Sequence, residues 1–94
     1  MHMLLNGEDE QELRLRARAA LNAGVLPRDR PLGLWGGNGA GEACAVCGNV
    51  VDAAEMELEV EFRFAEVRVD GVREFHLHLQ CFAAWEIERK LASE

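Results

Sequence analysis

Residues 74–85 read EFHLHLQCFAAW, and the period of their apolar positions changes midway. Phe75, Leu77 and Leu79 alternate with His76 and His78, the two-residue period of a half-buried strand. From Gln80 the run QCFAAWEIERKLA reads instead as a helix over about 80–92, in which Cys81 and Trp85 stand one turn apart and share a face. A strand therefore passes into a helix with a histidine before the junction and a cysteine just after it.

The preceding segment supplies a partner for that strand. Met56, Leu58, Val60, Phe62 and Phe64 alternate with Glu57, Glu59, Glu61 and Arg63, and Asp70-Gly71 is the strongest short hairpin signal in the chain. A two-residue turn there sets Val69 opposite Val72, Phe64 opposite Leu77 and Phe62 opposite Leu79. That register places Phe62, Phe64, Phe75, Leu77 and Leu79 on one face and turns His76 and His78 to the other. The alternating Glu55, Glu57, Glu59 and Glu61 read as a wet sheet face, an edge guarded by charge, or a docking surface for a basic partner.

Working towards the N-terminus, residues 8–23 read as a helix, with Asn6 or Gly7 at its N-cap and Gly24 as its stop. Leu13, Ala17, Ala20 and Leu21 form a narrow apolar stripe. Glu10 precedes Arg14, and Glu12 precedes Arg16, by four residues, the order that favours surface ion pairs. Residues 25–43 hold two prolines and five glycines and read as a surface connector without regular structure. GGNGAG within it lacks the Lys-Ser/Thr of a phosphate-binding loop. Trp35, its one aromatic residue, is expected to pin the connector to the core.

Cys44, Cys47, His78 and Cys81 form the pattern C-x2-C-x30-H-x2-C, which uses every cysteine in the chain. Tetrahedral zinc takes four such ligands. A C-x-x-C turn brings two sulfurs onto one ion, Gly48 can adopt the positive φ that turns the chain away, and a helix N-terminus favours a Cys81 thiolate. The competing readings are buried, inert cysteines, or a redox pair at Cys44 and Cys47. His76 is expected to be an outward polar residue or a hydrogen-bond donor behind the ligands, and His2 to have no role. Four protein ligands leave no position for a reactive water, so the zinc is expected to be structural. No Ser-His-Asp order or H-E-x-x-H motif suggests an enzyme.

The spacing and the tail FHLHLQCF with its following Trp85 resemble the poly(ADP-ribose) polymerase-type zinc finger, over residues 44–85. The resemblance implies the ligand order Cys-Cys-His-Cys at the same four residues and makes Phe82 and Trp85 the packing aromatics behind the metal. It also implies recognition of DNA breaks. LIM modules share the ligand order across a much shorter loop.

Composition bounds the rest. Ninety-four residues, 49% of them hydrophobic and 29% charged, suit one small folded domain. No apolar run reaches the ~20 residues of a membrane span, and MHMLLNGEDE is no secretion signal, so a cytoplasmic protein is expected. Three cysteines cannot all pair within one chain. Of the net charge of −7, −6 falls in residues 49–94, which disfavours binding nucleic acid.

The expected fold is α+β: a single small zinc-finger domain over 1–94, with a helix at 8–23, a linker at 25–43, and a zinc-binding unit at 44–92 made of a knuckle, a long β-hairpin and a C-terminal helix. The expected function is that of a non-enzymatic protein in which one structural Zn2+ supports a protein-protein interaction or regulatory role. The alternatives are nucleic-acid binding through Arg14, Arg16, Arg18, Arg28, Arg30 and Trp35, and a zinc-thiol redox sensor.

Overall fold

The computed structural model describes residues 10–63 and 72–92. It is an α+β fold in the order α1 (Glu10–Asn22), β1 (Gly33–Asn38), β2 (Met56–Arg63), β3 (Val72–His78) and α2 (Leu79–Ala92). The strands form one antiparallel sheet with β2 in the centre. No helix among the described residues is long and apolar enough to cross a membrane.

Helix α1 follows its sequence pattern closely. Leu13, Ala17, Ala20 and Leu21 are its buried residues, and they pack on α2. The helix ends where the glycine stands: Gly24 has φ 78°, and the bonds Val25 N–H to Ala20 O (2.9 Å) and Gly24 N–H to Leu21 O (3.1 Å) close its last turn. Asn6, Gly7 and the first two residues of the expected helix lie outside the described residues.

The stretch read as an irregular linker contains a strand. Gly33–Asn38 pairs along β2, with Trp35 opposite Glu59 and Gly37 opposite Glu57. Glycine is a poor strand former by itself, but β2 exposes a full row of backbone donors and acceptors on that side, and pairing outweighs local preference. Both prolines of the stretch, Pro27 and Pro31, lie before the strand, so neither removes a ladder donor.

The hairpin register also differs from the expectation. Phe62 stands opposite Arg73 rather than Leu79, Leu58 opposite Leu77, and Glu57 opposite His78. Leu79 cannot join the ladder, because it is the first residue of α2. Phe64, Val69 and the Asp70-Gly71 turn lie outside the described residues. The slip is of six positions, an even number, so the division of side chains between the two faces is preserved. Phe62 and Leu77 are buried and Phe75 is partly buried against them, as expected, whereas Leu79 is half exposed.

Trp85 is the centre of the core. It is fully buried, meets Phe62 edge-on at 5.2 Å and Phe82 at 5.6 Å, and donates its indole N–H to Pro27 O at 3.1 Å. Pro27, rather than Trp35, thus fastens the connector to the core. Trp35 is 51% exposed on the sheet face opposite Trp85, and Leu34, on the other face of this edge strand, is exposed to a similar degree.

The arginines of α1 are engaged. Arg16 pairs with Glu12 at 3.0 Å, while Arg14 and Arg18 reach across to the two carboxylate oxygens of Glu88 on α2, at 2.6 and 3.0 Å. Burial pushes the Glu88 carboxyl up, but hydrogen bonds from Arg14 and Arg18 outweigh it and hold the group below its ordinary 4.5. Its stabilising contribution is therefore present in full above that value and lost as pH falls through the lower folded-state value. Glu88→Gln should cost about 1–2 kcal/mol at pH 7 and flatten the acid limb of stability, a result read from urea unfolding across pH 3–7.

Candidate metal centre

Three elements converge at the junction of β3 and α2. The Cys44–Gly48 turn is closed by Gly48 N–H to Cys44 O (2.9 Å) and Cys44 N–H to Asn49 O (2.8 Å), with Ala43 bridging Val50 below it. Gly48 has φ 83°, where a side chain would be strained, and this allows the chain to reverse. Ala45 N–H donates to His76 O at 2.9 Å, which seats the turn on the outer edge of β3. His78 ends β3 and Cys81 lies in the first turn of α2.

All four expected ligands come together: the donor atoms of Cys44, Cys47, His78 and Cys81 lie within 4.8 Å of one another. His78 Nδ1 stands 3.4 Å from Cys47 Sγ and 3.8 Å from Cys81 Sγ. For a tetrahedral ion with bond lengths typical of zinc, about 2.3 Å to sulfur and about 2.0–2.1 Å to nitrogen, the sulfur-nitrogen edge is about 3.6 Å. The donor set and its dimensions therefore fit one metal ion. Cys44, His78 and Cys81 are buried and Cys47 is partly exposed. A cavity of about 230 Å³ beside Cys47, His78 and Cys81, also lined by Asp52 and Glu55, gives a cation an acidic path to the site.

The electrostatics point the same way. Cys44 is lowered to about 4, first because the Cys81 thiol hydrogen-bonds to it; backbone amides, including Val46 N–H at 3.4 Å, add to this against the effect of burial. Cys81 is pushed up by donating to Cys44 and by burial, and Cys47 chiefly by burial. Three thiolates at this spacing repel one another strongly, and a divalent cation supplies the charge that lets all of them ionise.

Glu55 is the residue that the sequence pattern misassigned. It is no passive member of a wet face: its Oε1 accepts His78 Nε2–H at 3.3 Å and Asp52 N–H at 3.1 Å. With Nδ1 turned to the sulfurs, this contact fixes the ring and its tautomer, as carboxylates behind metal-bound histidines do. The signal becomes readable only with the register, since Glu57 opposite His78 makes Glu55 a diagonal neighbour on the same face. Glu55→Gln should weaken metal affinity about 10- to 100-fold while leaving the metal-saturated fold intact, as measured by competition with a chromogenic chelator.

Glu57 likewise departs from the wet-face reading. It is 3% exposed, covered where β1 lies beside it, and its carboxylate accepts Ala40 N–H at 3.1 Å and bonds His76 Nδ1. His76 lies outside the four-donor set and instead forms a separate cluster with Glu57 and Glu59.

No protein-family model, curated protein or solved structure matches this chain.

Proposed function

We propose that this chain is a non-enzymatic, cytoplasmic zinc-binding module. One structural Zn2+, held by Cys44, Cys47, His78 and Cys81, fastens the knuckle, the sheet and the C-terminal helix into a platform for a protein partner. The carrying observation is the four-donor set itself: two short segments distant in sequence bring four donor atoms within 4.8 Å of one another, and four protein ligands on one ion would leave no coordination position for substrate or reactive water. Soft thiolates with one imidazole favour zinc over the oxygen-seeking cations. The Cys-Cys-His-Cys order agrees with the ligand order of the poly(ADP-ribose) polymerase-type fingers.

A protein partner is favoured over nucleic acid by the charges. Arg14 and Arg18 are tied to Glu88 and Arg16 to Glu12, and the net charge is −7. Elemental analysis of the purified chain should give one zinc per chain, retained through gel filtration. A folded preparation free of zinc and of any other transition metal would overturn the reading.

A further inference from the structure

The sheet face opposite the core carries a recess lined by none of the four candidate ligands. Trp35, Glu59 and His76 form one cross-strand row, and Gly37, Glu57 and His78 the next. Trp35, Gly36, Gly37, Asn38, Glu57 and Glu59 line a cavity of about 100 Å³ between them. The indole is held in place: a Cβ at Gly33 would meet Trp35 Cη2 at 2.5 Å, so the benzenoid ring rests on that glycine. Half of the indole remains in contact with water. Glu59, beside it, makes no hydrogen bond or close ion pair among the described residues, and its charge acts on His76, where Glu57 already holds the ring.

Among the described residues, none pairs with the outer backbone edge next to this recess. Strand β1 is the outer strand of the sheet, whereas the far edge, β3, is covered by the knuckle through Ala45. Gly39 N–H donates to Glu55 O at 2.9 Å, and in an antiparallel ladder this phase directs the N–H and C=O groups of Leu34, Gly36 and Asn38 outward. Edges are usually blunted by lysine, proline or a charged inward side chain. GLWGGN contains none of these.

We infer that β1 receives an extended segment of a basic partner protein as a fourth strand, with an arginine side chain of that segment lying on Trp35 and paired with Glu59. The indole face and the adjacent Glu59 carboxylate together attract a planar cation, and arginine satisfies both by stacking and by a forked hydrogen bond. The open ladder supplies affinity and the recess supplies specificity, the division of labour in strand addition. Glu61 and Glu74, opposite each other on the same face, extend the field that favours a basic segment. This inference deepens, and rests on, the reading of the chain as a metal-held interaction module.

The test uses the full metal-loaded chain and a short capped peptide alternating arginine and valine, titrated calorimetrically. Saturable binding is expected. Trp35→Ala should weaken it about tenfold or more and Glu59→Gln by about three- to tenfold, both exposed or partly exposed substitutions that leave the fold unchanged. Methylating alternate peptide amides should weaken it about tenfold by blocking the ladder. Equal binding by the wild type and Trp35→Ala, or by the methylated peptide, would reduce the effect to unspecific charge attraction and overturn the inference. Metal content and circular dichroism are read on the same samples. A folded, metal-loaded protein that ignores the peptide overturns this inference and leaves the module standing. A protein that folds and binds the peptide without metal overturns the module and leaves the inference.

Discussion

Cys81→Ser should abolish the cooperative thermal transition of the chain, and a strong chelator should do the same to the wild type. In small zinc-finger domains, metal binding contributes apparent free energies of about 10–16 kcal/mol, while a whole domain is stable by only about 5–15 kcal/mol. Losing the ion therefore removes an amount comparable to the total. Among the four candidate ligands, Cys81 is buried at the junction of sheet and helix, where it hydrogen-bonds to Cys44. Serine there offers a weak ligand and leaves two thiols facing an incomplete site. Near-ultraviolet circular dichroism of the buried Trp85 is the readout, and a Cys81→Ser melt within a few degrees of the wild type would contradict a stabilising metal. Because Cys47 and Cys81 hold their protons above the ordinary thiol range, metal competes with protons at both, and affinity should fall as pH is lowered.

Trp85→Ala should cost about 3–5 kcal/mol in the metal-loaded protein, the range for deleting a fully buried aromatic side chain. The indole packs between Phe62 and Phe82, lies 5.2 Å beneath the Arg89 guanidinium carbon, and holds Pro27 O. Its removal loosens the sheet, the C-terminal helix and the connector together. Trp85→Phe keeps the ring but leaves Pro27 O without its donor, and should recover all but about 1–2 kcal/mol of the loss. Trp35→Ala, on the exposed face, should change stability by no more than about 0.5 kcal/mol. Urea midpoints for the three variants separate these effects, and equal losses at Trp35 and Trp85 would place the core elsewhere.

The elements legible in the sequence were those specified by local chemistry. The stripe Leu13, Ala17, Ala20 and Leu21 needs only helical periodicity, and Gly24 marks its own cap. The four candidate ligands were legible because each half of the set is a short local motif, C-x2-C and H-x2-C, whose donors the fold brings within 4.8 Å of one another. What escaped depends on contacts distant along the chain. Gly33–Asn38 is a strand only because β2 lies beside it, and nothing in GLWGGN announces that. The register was misread because the Asp70-Gly71 signal is local, whereas pairing is fixed by burying Leu58, Val60 and Phe62 against Phe75 and Leu77. Glu55 and Glu57 followed the same fate, since alternating glutamates look alike until the strands that cover them are placed.

His78 is the last residue of β3 and Leu79 the first of α2, with no loop between them. One inserted or deleted residue at that point would turn everything downstream by about 100° around the helix axis. Cys81 and Trp85 would rotate together, the thiol away from the other ligands and the indole out of the core. The candidate metal site and the hydrophobic core are thus set to one common helical phase, and a length change at this junction cannot spare one while altering the other.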